Sequence, residues 1–442
     1  MRKILIGILL ISVHILASGQ EVDSILATSR YRNYTLSDLP SDVIKVFNEF
    51  PLKLAQYRRS LLENMISATL LKLEAERLKL NEEKLIQRIK NTAQKPSIRE
   101  AENFYQSNRD IFNGKSFEEV KDQILRFLAN KKEQEALEKY VEALRKRIKI
   151  SFDRDVNSQS TNPQDVIVSI GNKKITFAEF EKINAPAVYE AEADFADMII
   201  EKLEEKIFND LVLFEAQSLG VASNDLIAEE ITNKIKDFSG YEEEFLTAKF
   251  RKRLFEKYNV KILFKGPKPL IQNISTQDKP SKGNPTAPVV MVMFSDFQCP
   301  ACAATHPLLE AILNEYKDKV RFVVRNFPLV ELHKNAFQAA QAAKAAEKQG
   351  KFFEYIEILY KNQQALDQES LKAYARQIGL DMKRFEADMR DKVIADSIWK
   401  DIEEGKNYGV YATPTIFVNG VKLRDISIRG LMKTIENLIE NQ

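Results

Sequence analysis

Cys299 and Cys302 are the only cysteines in a chain of 442 residues. The apolar run at residues 289–297, VVMVMFSDF, predicts a buried strand that ends just before Cys299. A helix-like segment follows, through about Tyr316. This order puts Cys299 at a helix start, where unpaired backbone amides and the helix dipole favour negative charge. A thiol held there has a lowered pKa and a larger thiolate fraction. Cys302, one turn on, is close enough to close an intramolecular disulfide or to resolve a mixed one. Pro300 suits the first helical turn, because its missing N–H would have no helical partner. The same spacing also fits half of a zinc site, with His306 as a conceivable third ligand, or a plain structural disulfide. Zinc would need two more ligands, and no other cysteine exists to supply them.

Other segments must position this pair. Residues 320–328, VRFVVRNFP, read as a second buried strand. Much later comes Ala412-Thr413-Pro414-Thr415-Ile416-Phe417-Val418-Asn419-Gly420, a Thr-Pro pair, a strand and an Asn-Gly turn. Proline is the residue for which a cis peptide bond is cheap. Leu431 to Ile439 reads as an amphipathic closing helix. Between Phe327 and Thr413 the pattern is helical, including AAQAAKAAEKQGKFFEY. These segments resemble the DsbA-like family of exported thiol–disulfide oxidoreductases. The match is carried by Phe294-Ser295-Asp296-Phe297-Gln298-Cys299-Pro300-Ala301-Cys302, Arg325-Asn326-Phe327-Pro328, His333, Gly409-Val410 and Thr413-Pro414-Thr415.

The resemblance implies an α/β thioredoxin fold over residues 289–442, with a helical insert at about 329–411. It implies that Cys299 is the exposed attacking sulfur and Cys302 the buried resolving one. Pro414 becomes the cis-proline of the substrate loop, with Thr413 before it. Pro300 and Ala301 tune the active site. Neither a cofactor nor a metal is called for. Departures from the family pattern also carry expectations. The dipeptide is Pro-Ala rather than Pro-His, and Met293 stands where many thioredoxins place a buried acid. Asp296 is expected to cap the loop, His306 to be a partly exposed helix residue and His333 to cap a helix. Trp399 is expected to pack within the helical insert.

The chain before this region repeats itself at an offset of 141 residues. Ile25-Leu26-Ala27 aligns with Val166-Ile167-Val168, Thr35-Leu36 with Thr176-Phe177, and Glu74-Ala75 with Glu215-Ala216. Each repeat opens with a short strand and a threonine at a helix start, whose hydroxyl can cap free amides. Leu62, Ile66, Leu70, Leu73 and Leu80 then follow at helical spacing. Each repeat ends in an apolar strand, at residues 148–152 and 260–264, which suggests a small closing ladder at the ends of each unit. The mainly α-helical layout resembles the chaperone part of SurA- and PrsA-like foldases, on Pro96-Ser97, Glu100, Phe104-Tyr105, Asn108 and Phe112. Asn113-Gly114-Lys115 then leads directly into Ser116-Phe117-Glu118-Glu119-Val120. In that family a parvulin prolyl-isomerase domain lies at this junction. The resemblance thus implies a binding scaffold without the isomerase. The alternative is a helical spacer or dimerisation arm. The repeats span residues 20–152 and 165–264, with linkers at 153–164 and 265–288. The second linker holds five of the 14 prolines.

Residues 1–19 read as a secretory signal peptide: Arg2 and Lys3, an apolar run, then Ala17-Ser18-Gly19. The run is too short for a membrane span. Cleavage near Gly19 would remove two basic residues from a net charge of +2, leaving the rest neutral. The expected setting is the periplasm or another exported, oxidising compartment. Neutrality also argues against a nucleic-acid partner. The expected function is an oxidase or isomerase acting on unfolded or partly folded exported proteins, with a redox partner protein in the envelope and a possible homodimer. A reductase and a holdase with secondary redox activity are the alternatives. Threonine before Pro414 occurs in both oxidising and isomerising relatives and does not decide.

Overall fold

The computed structural model describes residues 24–112, 114–236 and 240–440. The signal-peptide segment and Asn113 lie outside them. The chain begins with β1 (Ile25–Thr28) and β2 (Asn33–Thr35), followed by the long helix α1 (Ser41–Leu78). Next come α2 (Glu82–Lys90), α3 (Ile98–Ser107), α4 (Phe117–Arg147) and β3 (Ile150–Phe152). A second series has the same outline: β4 (Val166–Ile170), β5 (Lys173–Thr176), α5 (Phe177–Leu219), α6 (Ser223–Glu230), α7 (Gly240–Lys257) and β6 (Lys261–Ile262).

Leu62, Ile66 and Leu70 are buried along one stripe of α1, as their spacing requires. They share a core with Leu85, Leu144, Ile167, Ile170 and Phe180. Each such side chain contributes about 1.5–3 kcal/mol when buried. The two threonines act alike. Thr176 Oγ1 accepts from the Glu179 amide (3.3 Å), while Glu179 accepts from the Thr176 amide (2.8 Å). At the first repeat Asp38 accepts from the Thr35 amide (2.8 Å), and the Thr35 side chain accepts from the Asp38 amide in return. Ser97 with Glu100 and Ser116 with Glu119 start α3 and α4 in the reciprocal way.

The closing strands differ from expectation. Neither repeat closes on itself. β3 pairs antiparallel with β4, and β6 pairs antiparallel with β1. The sheets are β2-β1-β6 and β3-β4-β5, so the closing strand of each repeat completes the hairpin of the other. Only a short connection separates β3 from β4, so their pairing costs little loop entropy. That pairing leaves β1 available to β6.

The chain divides into two compact units. One holds described residues 24–26, Thr35–Leu203 and Leu263–Pro267; the other holds Ala27–Tyr34, Glu204–Ile262 and Lys268 onward. The division therefore runs through α5 and does not follow the ends of the repeats.

The second unit contains a five-stranded sheet in the order β11-β10-β8-β9-β7. Its strands are β7 (Ser281–Gly283), β8 (Val289–Ser295), β9 (Val320–Asn326), β10 (Thr415–Val418) and β11 (Val421–Lys422). β8 and β9 are parallel; the other pairs are antiparallel. α8 (Pro300–Glu315) connects β8 to β9, and α14 (Ile428–Glu440) closes the unit. Between β9 and β10 lie α9 (Ala336–Glu347), α10 (Phe352–Lys361), α11 (Gln368–Gln377), α12 (Met382–Met389) and α13 (Lys392–Asn407). This is a thioredoxin fold with a helical insertion.

The stretch expected as linker supplies the edge strand β7. Its Ser-Lys-Gly sequence has no apolar signal, and the Pro280 carbonyl accepts from the Val324 amide beside it (3.0 Å). Lys279 anchors the approach through an ion pair to buried Asp401 (2.7 Å). The Asn-Gly turn forms as read: Asn419 and Gly420 both have positive φ (46° and 81°) between β10 and β11. A Cβ on Gly420 would lie 2.2 Å from the Gln272 carbonyl oxygen, so no larger residue fits there without movement.

Candidate active site

β8 is buried along nearly its whole length, and the bend after it delivers Asp296 to Cys299. The Asp296 carbonyl accepts from the Cys299 amide (3.1 Å). Cys299 is the N-cap residue of α8, and Pro300 occupies the first helical turn. Cys299 retains 7% exposure and Cys302 none. Both are free thiols. The Pro300 and Ala301 side chains are exposed beside them. The Thr413–Pro414 peptide bond is cis. This loop faces the cysteines, with Cys299 Sγ donating to the Thr413 carbonyl (3.3 Å). Cys299, Cys302, Thr413 and Pro414 therefore meet at one place, although more than 110 residues separate the two pairs.

The electrostatics separate the two sulfurs. The hydrogen bond from the Cys302 thiol is the largest influence lowering the Cys299 pKa, which falls to about 5. Burial opposes that fall; Thr413 and the Ala301 and Cys302 amides reinforce it. Thr413 Oγ1 is buried and makes no geometric hydrogen bond among the described residues. Burial pushes the Cys302 thiol far up, and its bond to Cys299 adds to the rise. The outcome is a thiolate at Cys299 beside a protonated Cys302.

Asp296 caps the loop: its carboxylate accepts from the Gln298 amide (2.7 Å) and the Leu329 amide (2.8 Å). His333 does not cap a helix with its ring. Its Nδ1 lies 2.8 Å from the same carboxylate, because the chain after β9 returns beside the loop. His306 is not partly exposed; it is 9% exposed and its ring lies 4.9 Å from that of Tyr360. Burial lowers its pKa. It sits on the α8 face that the inserted helix α10 covers, which the sequence of α8 alone does not reveal. Trp399 is half exposed, with one face on Phe337 (5.0 Å). Met293 is buried in the core.

Three further residues complete the site. Gln363 Nε2 donates to the Cys299 carbonyl (2.7 Å) and the Phe297 carbonyl (3.1 Å). Ser295 Oγ lies 2.6 Å from Tyr360 Oη, and Ser295 partly offsets the rise of the Cys302 pKa. Ser295 was visible as a polar residue ending an apolar strand. Tyr360 and Gln363 come from the inserted helical region, with no local signal pointing to the cysteines.

Residues 275–437 match a family model described as Thioredoxin. Among curated relatives, a protein named Na(+)/H(+) antiporter NhaA 3 from Salinispora tropica is 38% identical over 139 residues. That match takes in 31% of this chain and 21% of the relative. One named Na(+)/H(+) antiporter NhaA 1 from Mycobacterium sp. is 33% identical over 154 residues, 34% of this chain and 25% of the relative. The chain thus spans about a quarter or less of these relatives' length. Among solved structures, a thioredoxin-like oxidoreductase from Silicibacter pomeroyi is similar at 23% identity and a TM-score of 0.35. It covers 38% of this chain and 94% of its own. BdbD from Bacillus subtilis, in oxidised form, matches at 24% identity and a TM-score of 0.35, covering 39% and 100%. The C-terminal region of this chain is a thioredoxin-like domain.

Proposed function

We propose that the chain is an exported thiol–disulfide oxidoreductase that forms or rearranges disulfides in client proteins. The observation that carries this reading is the Cys299 sulfur, biased to thiolate at the start of α8 and 3.3 Å from the cis-proline loop. In the oxidising direction a client thiolate attacks Cys299 of the Cys299–Cys302 disulfide. A client–Cys299 bond forms, and the electron pair of the broken bond leaves on Cys302. A second client thiolate then attacks the client sulfur, and Cys299 leaves as a thiolate. The low Cys299 pKa makes it a good leaving group. The loop at Thr413 and Pro414 offers its backbone to an extended client. A redox partner protein in the envelope removes the two electrons and restores the disulfide. The helical repeats hold unfolded clients near Cys299 or pair two copies of the chain. The expected site of action is the periplasm, after cleavage near Gly19.

The reduction potential of the cysteine pair tests this reading, by equilibration with glutathione and alkylation of free thiols. A value of about −120 to −180 mV supports an oxidase or isomerase. A value near roughly −270 mV replaces it with a reductase. The repeats would then dock a reductive partner.

A further inference from the structure

The bend from Asp296 to Cys299 is short, and the region inserted between β9 and β10 holds it from two sides. From the connection after β9, the Leu329 amide donates to the Asp296 carboxylate and the Asn335 amide donates to Gln298 Oε1, at 2.8 Å each. From the turn after α10, Gln363 Nε2 donates to the Cys299 carbonyl (2.7 Å) and the Phe297 carbonyl (3.1 Å). Both partners of Gln363 can only accept, so its amide nitrogen must be the end that faces them.

Gln363 is itself held in place. The Ala365 amide donates to the Asn362 carbonyl (2.9 Å), which closes the turn that carries it. Tyr374 Oη of α11 donates to the Ala365 carbonyl (3.0 Å), and Gln338 Nε2 of α9 donates to the Leu366 carbonyl (2.8 Å). A side chain presented by a fixed turn holds its partner more closely than a mobile one does. Here the partner is the backbone of the reacting residue. The Cys299 carbonyl also accepts from the Ala303 amide (3.2 Å), the first hydrogen bond of α8. The place of that carbonyl decides whether Cys299 stands at the helix start, where its sulfur meets unpaired amides. It also decides whether the sulfur stays 3.3 Å from the Thr413 carbonyl.

We propose that Gln363 is a positioning residue for disulfide exchange: it fixes the backbone of Cys299 and so keeps the sulfur at the amides of α8 and beside the cis-proline loop. This inference rests on the oxidoreductase reading above. Gln363 acts through the Phe297 and Cys299 carbonyls, not on the sulfur. It carries no charge. The titratable groups that act on Cys299 are Cys302 of α8 and Tyr360 of α10, with the His306 ring against Tyr360. Asp296 and His333 are paired with each other at the other end of the bend (2.8 Å). All of these stay in place when Gln363 is replaced by another neutral residue. A changed Cys299 titration in such a variant therefore reports the place of the sulfur, not a lost charge.

The test is the pH profile of iodoacetamide labelling at Cys299 in the reduced full chain, read by mass. Gln363→Met keeps the length of the side chain and removes the donor. Loss of a neutral hydrogen bond at this carbonyl predicts a labelling midpoint raised by about one unit. At neutral pH the reduction potential should become more negative by about 30 mV, because a less stable thiolate makes a less stable reduced form. Gln363→Asn keeps the amide but is too short to reach both carbonyls, and should give a smaller shift in the same direction. Thermal melting of the oxidised chain checks that each variant is folded. If Gln363→Met does not fold, the profile of Gln363→Asn decides alone. A midpoint that does not move in a folded variant overturns the proposal, as does a lower melting temperature with an unmoved midpoint. Labelling needs no exchange partner. An unmodified chain that labels at Cys299 but exchanges no disulfides with a dithiol peptide fails the oxidoreductase reading itself, a separate result.

Discussion

The Glu74 carboxylate, 1% exposed, accepts two hydrogen bonds from Arg77 (2.8 Å each) and one from Tyr140 (3.0 Å), with Arg147 completing the cluster. The Cys299 sulfur, 7% exposed, has a thiol neighbour, a carbonyl, helix amides and a threonine hydroxyl around it. In the first centre the charge is permanent and fully matched. Arginine bonds hold the Glu74 carboxyl down to about 2. In the second the charge depends on the protonation of Cys299, and no cationic side chain is among the groups that lower its pKa. The repeat builds its matched centre twice. Glu215, aligned with Glu74, receives Lys257 (2.6 and 2.7 Å) and Tyr258 (2.5 Å).

The largest way to break this comparison is at the sulfurs. Cys299→Ser should lower disulfide exchange by about a thousandfold or more, because no other nucleophile is placed to substitute. Cys302→Ser should instead trap client–Cys299 mixed disulfides, visible on non-reducing gels. Substantial insulin-reducing activity in Cys299→Ser would refute the assignment of the nucleophile. Neither change should much alter the melting of the first unit.

The two centres also respond to pH in different ranges. The lowered Cys299 pKa stabilises the reduced folded state, fully above the ordinary cysteine value of about 8.5. That contribution declines as pH falls and is gone below about 5. The oxidised protein has no thiolate, so acidification should lower the stability of the reduced form relative to the oxidised one. Iodoacetamide labelling should follow the same midpoint. For Glu74 the contribution is present above the ordinary glutamate value and disappears only as pH falls toward about 2.

At Glu74 itself, replacement by alanine leaves the half-exposed Arg77 and Arg147 to find water and removes the acceptor for Tyr140. The expected loss is about 2 kcal/mol, read from thermal melting. Exchange rates at Cys299 should remain unchanged. A fall in exchange without a fall in stability would break the distinction between the two centres.

What could be read in the sequence follows the same division. The cysteine pair, the Thr-Pro loop and the Asn419-Gly420 turn place their chemistry in consecutive residues, so one short window carries each. The long helices were legible because Leu62, Ile66 and Leu70 recur at a fixed period. Ser295 with Tyr360, and Asp296 with His333, were not, because each pair joins residues 37 or more positions apart. The exchange of closing strands was hidden for a related reason. Residues 148–152 and 260–264 look alike, and pattern alone does not tell which hairpin each will join. Chain length decides it, since β4 follows β3 closely while β1 lies far behind.

The smallest expected effect tests whether aligned positions do the same work. Thr176 accepts from the Glu179 amide, one of the unpaired donors at the start of α5. Thr176→Ala removes that acceptor and should cost about 1 kcal/mol. Thr35 forms the same reciprocal pair with Asp38 at the helical turn that follows it. Thr35→Ala should therefore cost a similar amount, about 1 kcal/mol. Clearly unequal losses in chemical denaturation would mean that the two threonines cap differently in solution. The aligned helix starts would then not do the same work.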